Sequence, residues 1–280
     1  MKSRKHYRRF RKLFIVQHLI LLSCVLLLIV SGVPLKFPHS ELARWTIWLQ
    51  GGMDARRIIH HTAGQTLVAL GIFHFIFYVF VERSIPFYKR AILLRWSDLS
   101  NIVGHVRYML GRQKTLPSMG RYTWYEKLDY IGLLWGIMVM GLSGMSMLYM
   151  DMVLRVIPLS FLQVFWAAHS EEAMLATLFL LLIHMYHVHF NPEKFPMSLT
   201  WLNGLISREE MEKYHPLELE EIEQAGLEKE EEEEETPALA RLQSLMDRIN
   251  RDYGGVGAVL GVLLWMVVLF LAITHMLLDF

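Results

Sequence analysis

Cysteine is almost missing from this sequence, since Cys24 is the only one among 280 residues. A single cysteine excludes a disulfide within the chain, an iron–sulfur cluster ligated by this chain alone, and a covalently attached c-type haem of the CxxCH pattern. It equally excludes a cysteine-ligated nickel or molybdopterin centre. Any catalytic chemistry of those kinds would have to lie on a partner protein.

Charged side chains are scarce as well. They make up 20% of the residues, against 54% hydrophobic ones, and the mean hydropathy is +0.31. A soluble domain of this size cannot enclose that much apolar surface in one core. The low charge also excludes disorder for most of the chain. The composition therefore predicts an integral membrane protein, and we expect no nucleic-acid partner.

Five apolar stretches are long enough to cross a bilayer, because about 20 helical residues span a hydrocarbon core of about 30 Å. The first is longer than the apolar run of a signal peptide, and no cleavage site of small residues follows it. We therefore expect it to be retained as a helix. The five predicted spans cover residues 13–33, 58–82, 129–150, 171–190 and 255–278.

Lys and Arg are distributed unevenly between the segments that connect these spans. Seven lie in the first twelve residues, four in 34–57, nine in 83–128 and only Arg155 in 151–170. Since basic loops stay in the cytoplasm, the N-terminus is predicted inside and the C-terminus outside. The predicted organisation is a basic cytoplasmic segment at 1–12, a four-helix domain at 13–190, a cytoplasmic segment at 191–253 with the acidic linker Glu230–Glu235, and a fifth transmembrane helix at 254–280.

Histidine is unusually frequent in and beside the predicted spans. An ionisable group inside a membrane is costly and is a functional candidate by default. A single one is well explained as a neutral side chain hydrogen-bonded between helices, but a set at matched depths is not. The candidates are His18, His60, His61, His74, His169, His184, His187 and His189.

These histidines fall into two layers. At 1.5 Å per residue, His18 and His184 each lie about 9 Å from the inner end of their spans, whereas His60 and His169 begin spans two and four on the outer side. His169 and His184 are about 22 Å and about 60° apart on one helix, and His60 and His74 are about 21 Å and about 40° apart. Two stacked porphyrins, each with an imidazole on either side of its iron, need this arrangement, and a proton relay does not.

Glycine recurs in spans two and three. A flat macrocycle needs a close backbone approach, which glycine permits. Ordinary helix packing through small residues explains the same glycines equally well, so they support neither explanation over the other. The residues concerned are Gly64, Gly71, Gly132, Gly136, Gly141 and Gly144.

Several short motifs follow one another in order from about residue 8 to residue 223. The set resembles the membrane cytochrome b subunit, often called gamma, of respiratory formate dehydrogenases and nickel–iron hydrogenases. That resemblance implies an all-α, multi-pass protein of a bacterial-type inner membrane, with a four-helix bundle that binds two haem b groups. The motifs are QHLIL at 17–21, SGVPLKF at 31–37, RRIIHH at 56–61, GRYTWYEK at 120–127, AAHSEEAMLA at 167–176, LIHMYHVHF at 182–190, NGLIS at 203–207 and YHPLELEEIE at 214–223.

The resemblance also implies which histidines bind iron. His60 and His169 match the axial ligands of the outer haem, and His18 and His184 match those of the inner haem. His74 is a third candidate for the inner layer. If spans two and four supplied all four ligands, as in bc-type cytochrome b, His18 would be free.

Further departures from the family pattern leave other questions open. His187 could join an additional haem, and His61 could replace its neighbour after a register shift of one residue. The interval from His169 to His184 is one residue longer than the family leads us to expect. The fifth helix at 255–278 has no counterpart in the four-helix members.

The segment at 120–127 is the expected quinone site, at the inner entrance of the third span. Thr123 stands where the family pattern would place a quinone-binding Asn. Thr123 and Glu126 can hydrogen-bond a quinone oxygen, and Lys127 or His187 could supply charge or protons. An interfacial belt of aromatic residues explains part of the same segment.

The expected function is electron transfer across the membrane. One end would be a peripheral redox subunit on the outer face, an iron–sulfur protein or a multihaem cytochrome, docked on loops 34–57 and 151–170. The other end would be menaquinone or ubiquinone. The alternatives are a haem-free transporter with histidines in a proton path, a stand-alone haem-containing transmembrane reductase, and a membrane anchor or assembly factor. A Soret band excludes the first alternative, and copurification with a partner argues against the second.

Overall fold

A computed structural model of the chain describes residues 6–81, 91–191, 194–195, 197–225, 244–245 and 248. The predicted acidic linker at Glu230–Glu235 and the fifth helix at 255–278 lie outside these residues. The described chain forms two compact units. The bundle unit comprises the described parts of Val16–His74 and Leu133–Ser198 with 244–245 and 248, and the polar unit comprises those of 6–15, Phe75–Gly132 and 199–225.

Four long helices dominate the described chain, which confirms the predicted all-α membrane architecture. They are α1 (Lys12–Lys36), α3 (Met53–Ile76), α5 (Trp124–Leu148) and α7 (Leu159–Phe179). A π-helical turn at Phe77–Val81 follows α3, and two more at Leu180–His184 and Tyr186–Phe190 follow α7. Within the described residues, the helices long and apolar enough to cross a membrane are Lys12–Lys36, Met53–Phe80, Trp124–Leu148 and Leu159–Phe190.

The spans begin earlier than hydropathy predicts. The third and fourth were expected from 129 and 171, but their helices begin at Trp124 and Leu159. The first residue of a helix depends on how its unpaired amides are capped and on the backbone conformation of the residue before it. At the start of α7 that residue is Pro158, whose ring restricts φ and which has φ −61° and ψ 152°. His169 is consequently the eleventh residue of α7 and not its first.

Short helices occupy the connecting segments. Ser40 caps the N-terminus of α2 (Glu41–Leu49), because its hydroxyl accepts a hydrogen bond from the Ala43 amide at 3.1 Å. The turn after α2 uses Gly51 and Gly52 at φ 91° and 96°, in the left-handed region that favours glycine. The remaining helices up to residue 225, outside the undescribed positions, are α4 (Trp96–Met109), α6 (Met150–Val153), α8 (Thr200–Asn203), α9 (Arg208–Tyr214) and α10 (Pro216–Gln224).

A small antiparallel sheet forms the centre of the polar unit. Strand β1 (His6–Arg8) pairs with β2 (Leu205–Ser207), so that Tyr7 lies opposite Ile206. Tyr7 and Ile206 are buried together with Met211 and Leu219. Because β1 precedes the first span and β2 follows the fourth, the two ends of the four-span region lie on the same side of the membrane. This agrees with an even number of spans between them.

Helices α3 and α5 approach each other closely in the bundle unit. A Cβ atom added to Gly71 would lie 2.9 Å from Cγ2 of Ile137, and one added to Gly141 would lie 3.1 Å from Cγ2 of Val68. Both glycines therefore accommodate a β-carbon substituent of the opposite helix, as small residues do at helix contacts in membranes.

Candidate functional site

Two of the predicted iron ligands face each other in the bundle unit. The ring centroids of His60 and His169 are 6.4 Å apart, and the ring planes are inclined by 68°. A metal–imidazole bond of about 2.0–2.1 Å puts two ligands on opposite sides of a metal about 4 Å apart, with each ring centroid roughly 1 Å further back. The observed separation therefore fits two axial ligands of one iron.

A serine on α1 fixes the protonation pattern of His60. The Ser31 hydroxyl lies 2.9 Å from Nδ1 of His60 and donates its own hydrogen to the carbonyl of Leu27 at 2.6 Å. Because the hydroxyl hydrogen is used in that bond, its oxygen accepts from the imidazole, and the proton of the neutral ring is on Nδ1. The lone pair needed for a metal is then on Nε2.

His169 has a similar environment, provided by α5, with the Met140 backbone as an additional hydrogen-bond partner. The Ser143 hydroxyl lies 3.0 Å from Nδ1 of His169 and donates to the carbonyl of Val139 at 2.6 Å. The same argument places the proton on Nδ1 and the free lone pair on Nε2. Both histidines thus have the tautomer that a metal-binding imidazole requires.

Glycine follows each of these serines and makes room for the ring. A Cβ atom added to Gly32 would lie 3.2 Å from Cε1 of His60, and one added to Gly144 would lie 3.0 Å from Cε1 of His169. Any larger residue would press on the imidazole. The dipeptides Ser31-Gly32 and Ser143-Gly144 therefore seat the two rings in the same way.

Arg56 adds a buried cation one helical turn before His60. Its side chain donates from Nη1 to the Ser31 carbonyl at 2.9 Å, and the residue is only 6% exposed. Its Nε is buried and has no hydrogen-bond partner among the described residues. A buried, incompletely bonded guanidinium suits a carboxylate, such as a haem propionate. The donor set around His60 and His169 therefore fits haem.

The inner-layer histidines each have an identifiable neighbour in the bundle unit. His18 lies within electrostatic range of His184. His74 is held from the same region of α1, because its Nδ1 donates to Oε1 of Gln17 at 2.8 Å. The described contacts associate His18 with His184, and His74 with the residue before His18. Which of them binds iron stays a prediction.

The long interval between His169 and His184 contains the π-helical turn Leu180–His184. A turn closed by an i→i+5 hydrogen bond takes up roughly one residue more than an α-helical turn. The turn therefore offers a structural place for the additional residue that the family resemblance indicates.

The two remaining alternative ligands have different surroundings. His61 is exposed, next to His60 on α3. The Nδ1 of His187 lies 2.8 Å from the carbonyl of Ile183 and donates to it, so this ring is held against its own helix. Neither the exposure of His61 nor the hydrogen bond of His187 tests whether these residues bind iron.

The predicted quinone residues have structural partners within the polar unit. Thr123 is buried, and its amide and hydroxyl bond Oε2 of Glu126 at 2.7 and 2.9 Å, while the Glu126 amide donates back to the threonine hydroxyl at 3.3 Å. This is a capping box at the start of α5. Lys127 binds both carboxylate oxygens of Asp98, at 2.8 and 2.9 Å, and the two side chains are 7% and 4% exposed. Contact of these residues with a quinone stays a prediction.

A buried ion-pair network near this segment was not anticipated from the sequence. Arg9 donates to Oε2 of Glu218 at 2.9 Å, and Arg121 binds the other oxygen of the same carboxylate. Arg9 also lies 3.4 Å from Oε1 of Glu126. The network joins the N-terminal segment, the loop before α5 and α10. Arg9 was counted only as an inside charge, and Glu218 belongs to a motif that was quoted without a role for its residues.

His215 is buried beside this network. Its Nδ1 donates to the Gly120 carbonyl at 2.9 Å. Burial lowers the pKa of His215, and nearby Arg9 acts in the same direction, against the opposing influence of Glu126 and Glu218. The lowered pKa keeps this ring neutral at pH 7.

Comparison with known proteins gives one family. The family model described as prokaryotic cytochrome b561 matches residues 9–196, which is more than half of the chain. The matched range contains all the predicted iron ligands and the segment at 120–127. No curated protein matches the chain.

Proposed function

The chain belongs to the prokaryotic cytochrome b561 family of multi-pass membrane cytochromes, which partner with redox enzymes, and from this premise we propose that it is a dihaem electron carrier between a peripheral subunit and a quinone. The observation that carries the proposal is the pair His60 and His169. Their ring separation and their serine-fixed tautomers suit the two sides of one haem iron.

Haem, when bound, supplies reversible one-electron chemistry at its iron. The chain's own residues would then perform separate tasks at the outer haem. His60 and His169 would hold the iron from two helices, and Arg56 would bind a propionate. The second haem is assigned to His18 and His184, and the electrostatic influence of His184 on His18 supports that pairing. His74 is the competing ligand.

Electron flow is proposed by analogy with the family. Electrons would enter from an iron–sulfur protein or a multihaem cytochrome on the outer face, pass through the His60/His169 haem and then the His18/His184 haem, and reduce menaquinone or ubiquinone at the inner face. Members that work beside multihaem cytochromes could run in the reverse direction and oxidise quinol. The proposed location is the inner membrane of a bacterial-type cell, with the N-terminus inside, as the distribution of Lys and Arg favours.

Replacing the ligands one at a time tests the haem count and the pairing. We expect a pyridine haemochrome assay of the purified chain to give two haem b groups per chain. His60→Ala and His169→Ala should remove the same redox component, and His18→Ala and His184→Ala should remove the other, because each iron needs both of its ligands.

Redox titration of the same four variants identifies which component is lost. A chain without a Soret band would favour the haem-free transporter. Loss of a haem in His74→Ala, with both retained in His18→Ala, would replace the proposed inner pairing by the bc-like one. A ratio near three would assign a further haem to residues such as His74 and His187.

The quinone site needs variants that do not unfold the start of α5. Glu126→Gln removes the charge but keeps a capping side chain, because Gln also closes a capping box. We expect this variant to bind both haems and to turn over quinone more slowly. Thr123→Ser retains the capping hydroxyl and serves as the matched control with near-normal turnover.

A quinone-site inhibitor gives an independent measurement on the unmodified chain. It should shift the spectrum or potential of the His18/His184 haem and leave the His60/His169 haem unchanged. Normal turnover in Glu126→Gln, or an inhibitor effect on the outer haem alone, would contradict the proposed position.

A further inference from the structure

We propose that Ser31 and Ser143 are positioning residues that set the orientation and the redox potential of a single haem, the one between His60 and His169. The inference rests on the proposed haem function and adds to it two residues outside the iron ligands. It also makes the site depend on all four long helices, since α1 holds the ligand from α3, and α5 holds the ligand from α7.

The first argument is that the arrangement occurs twice. In each case a serine accepts from the Nδ1 of a histidine on another helix, and the glycine that follows lies against Cε1 of the same ring. Ser31 is 0% exposed and Ser143 is 2% exposed. The dipeptides Ser31-Gly32 and Ser143-Gly144, from two separate parts of the chain, thus contact an imidazole ring in the same way.

The second argument comes from other serines on the same two helices. Ser23 on α1 and Ser146 on α5 also donate to the carbonyl four residues earlier, at 2.9 and 2.7 Å. Among the described residues, neither has a hydrogen bond to a histidine. The backbone bond is therefore a common feature of serine within a helix, and the contact with a histidine distinguishes Ser31 and Ser143.

The third argument concerns the strength of the acceptor. When a serine hydroxyl donates to a carbonyl, the direction of its O–H bond is fixed. Its oxygen can then accept only from a protonated Nδ1, and this favours one tautomer and one orientation of the imidazole ring. It increases the basicity of the imidazole, but less than a carboxylate would. A more basic ligand stabilises ferric iron, so removal of the serine oxygen should raise the potential of that haem.

The test uses the full-length, haem-loaded chain in detergent. Ser31→Ala and Ser143→Ala are compared with Ser23→Ala and Ser146→Ala by redox titration and by low-spin EPR. We expect the first two variants to shift the midpoint potential of the same haem upward, and to change its EPR signal through rotation of one ring. The other haem and both control variants should match the unmodified chain.

Conservative replacements separate positioning from packing. Ser31→Thr and Ser143→Thr retain a hydroxyl that bonds the same carbonyl, and they should keep the original potential. If the alanine variants lose the haem but the threonine variants retain it, the hydroxyl is required, as proposed. Loss in both the alanine and the threonine variants indicates packing alone and overturns the inference.

Two further outcomes would overturn the inference while leaving the proposed function intact. One is that Ser31→Ala and Ser143→Ala shift different haems. The other is that neither variant differs from Ser23→Ala and Ser146→Ala, although the chain still binds two haems. Absence of haem from the unmodified chain would instead refute the proposed function itself.

Discussion

The two glycines beside the histidine rings show how a missing side chain can define a site. Gly32 and Gly144 leave just enough space for the imidazoles of His60 and His169. Each ring is held on one side by a serine, so it cannot move away from an added atom without breaking a hydrogen bond. Glycine is therefore required at these positions by the space available and not by its backbone conformation.

Gly144→Ala tests this requirement. The new Cβ would lie 3.0 Å from Cε1 of His169, which is tighter than about nine in ten real Cβ contacts, so the ring must shift by a few tenths of an ångström. We expect a reduced haem-to-protein ratio, or a shifted potential of the His60/His169 haem. Gly136→Ala on the same helix is the control, because its Cβ would be 4.0 Å from Oε1 of Glu172. Equal haem binding in the two variants would contradict the prediction.

Individual site residues differ in how far the sequence reveals them. Helical spacing grouped His18 with His184 and His60 with His169 by depth, because positions along one helix follow from its rise and turn. It left His74 open, and the choice of four ligands came from the family resemblance. The role of Ser31 could not be derived in that way, since its contact depends on how a neighbouring helix is rotated about its axis.

Thr123 and Glu126 illustrate the opposite case. The capping-box pattern Thr-x-x-Glu stands directly before an apolar run and was available from the sequence alone. Its residues were nevertheless assigned to quinone. The structure gives them a helix-capping role, and the quinone hypothesis must now be tested with variants that preserve the cap.

Among the helices, the fourth span is the least regular. It is α-helical from Leu159 to Phe179 and continues through two π-helical turns to Phe190. The first of these turns ends at His184 and takes up an additional residue between the two predicted ligands. Such turns are frequent at functional sites. The angle of about 60° between His169 and His184 that a regular α-helix predicts is therefore changed by the turn.

Two single-residue deletions in this span should have different effects. Deleting Leu181 from the π-helical turn allows the turn to become α-helical, so both histidines keep their orientation and both haems should remain. Deleting Leu175 from regular helix rotates one ligand relative to the other by about 100°, and one haem should be lost. Haem content and redox titration of the two variants measure the difference. Similar losses in both would argue against this role of the turn.

The elements themselves were only partly predictable. Composition and length identified five spans, of which the four within the described residues are confirmed, but hydropathy could not locate their first residues, which depend on capping and on Pro158. The strand β1 was missed because three residues in a basic segment have no recognisable pattern. It forms only because Leu205–Ser207 lies beside it, and that proximity is a tertiary property.

At the scale of the whole molecule, the contacts within the polar unit and the distribution of Lys and Arg place the same segments on one side of the membrane. Residues 9, 121 and 218 contact one another in the polar unit, so the N-terminal segment, the segment before α5 and the segment after α7 share one side of the membrane. The Lys and Arg distribution predicted the same grouping. These contacts show that the three segments share a side, but they do not distinguish the cytoplasmic side from the outer side. The assignment of the shared side to the cytoplasm therefore stays a prediction.

His215 should make the polar unit sensitive to acid. Burial lowers its pKa in the folded chain, so the unfolded chain binds the proton more readily. The stability it contributes is complete above the unfolded pKa of about 6.5, and is lost as the pH falls below that value toward the folded pKa. His215→Asn keeps a donor for the Gly120 carbonyl and cannot take up this proton.

Thermal unfolding of the full chain between pH 5 and 8 compares the two forms. Buried carboxylates contribute to acid instability in both, so the informative quantity is the difference in slope. We expect the Tm of the unmodified chain to fall more steeply below about pH 6.5 than that of His215→Asn. Parallel curves would show that His215 does not titrate on unfolding.

The pairing of β1 with β2 also has a consequence for biosynthesis. Almost 200 residues separate Arg8 from Leu205, and a ribosome needs roughly 10–40 s to add that many. The first strand must therefore wait outside the translocon, without its partner, until all four spans have been delivered. If one span failed to insert, the strands would emerge in different compartments and the sheet could not close. The sheet can therefore form only when an even number of spans has been inserted between its two strands.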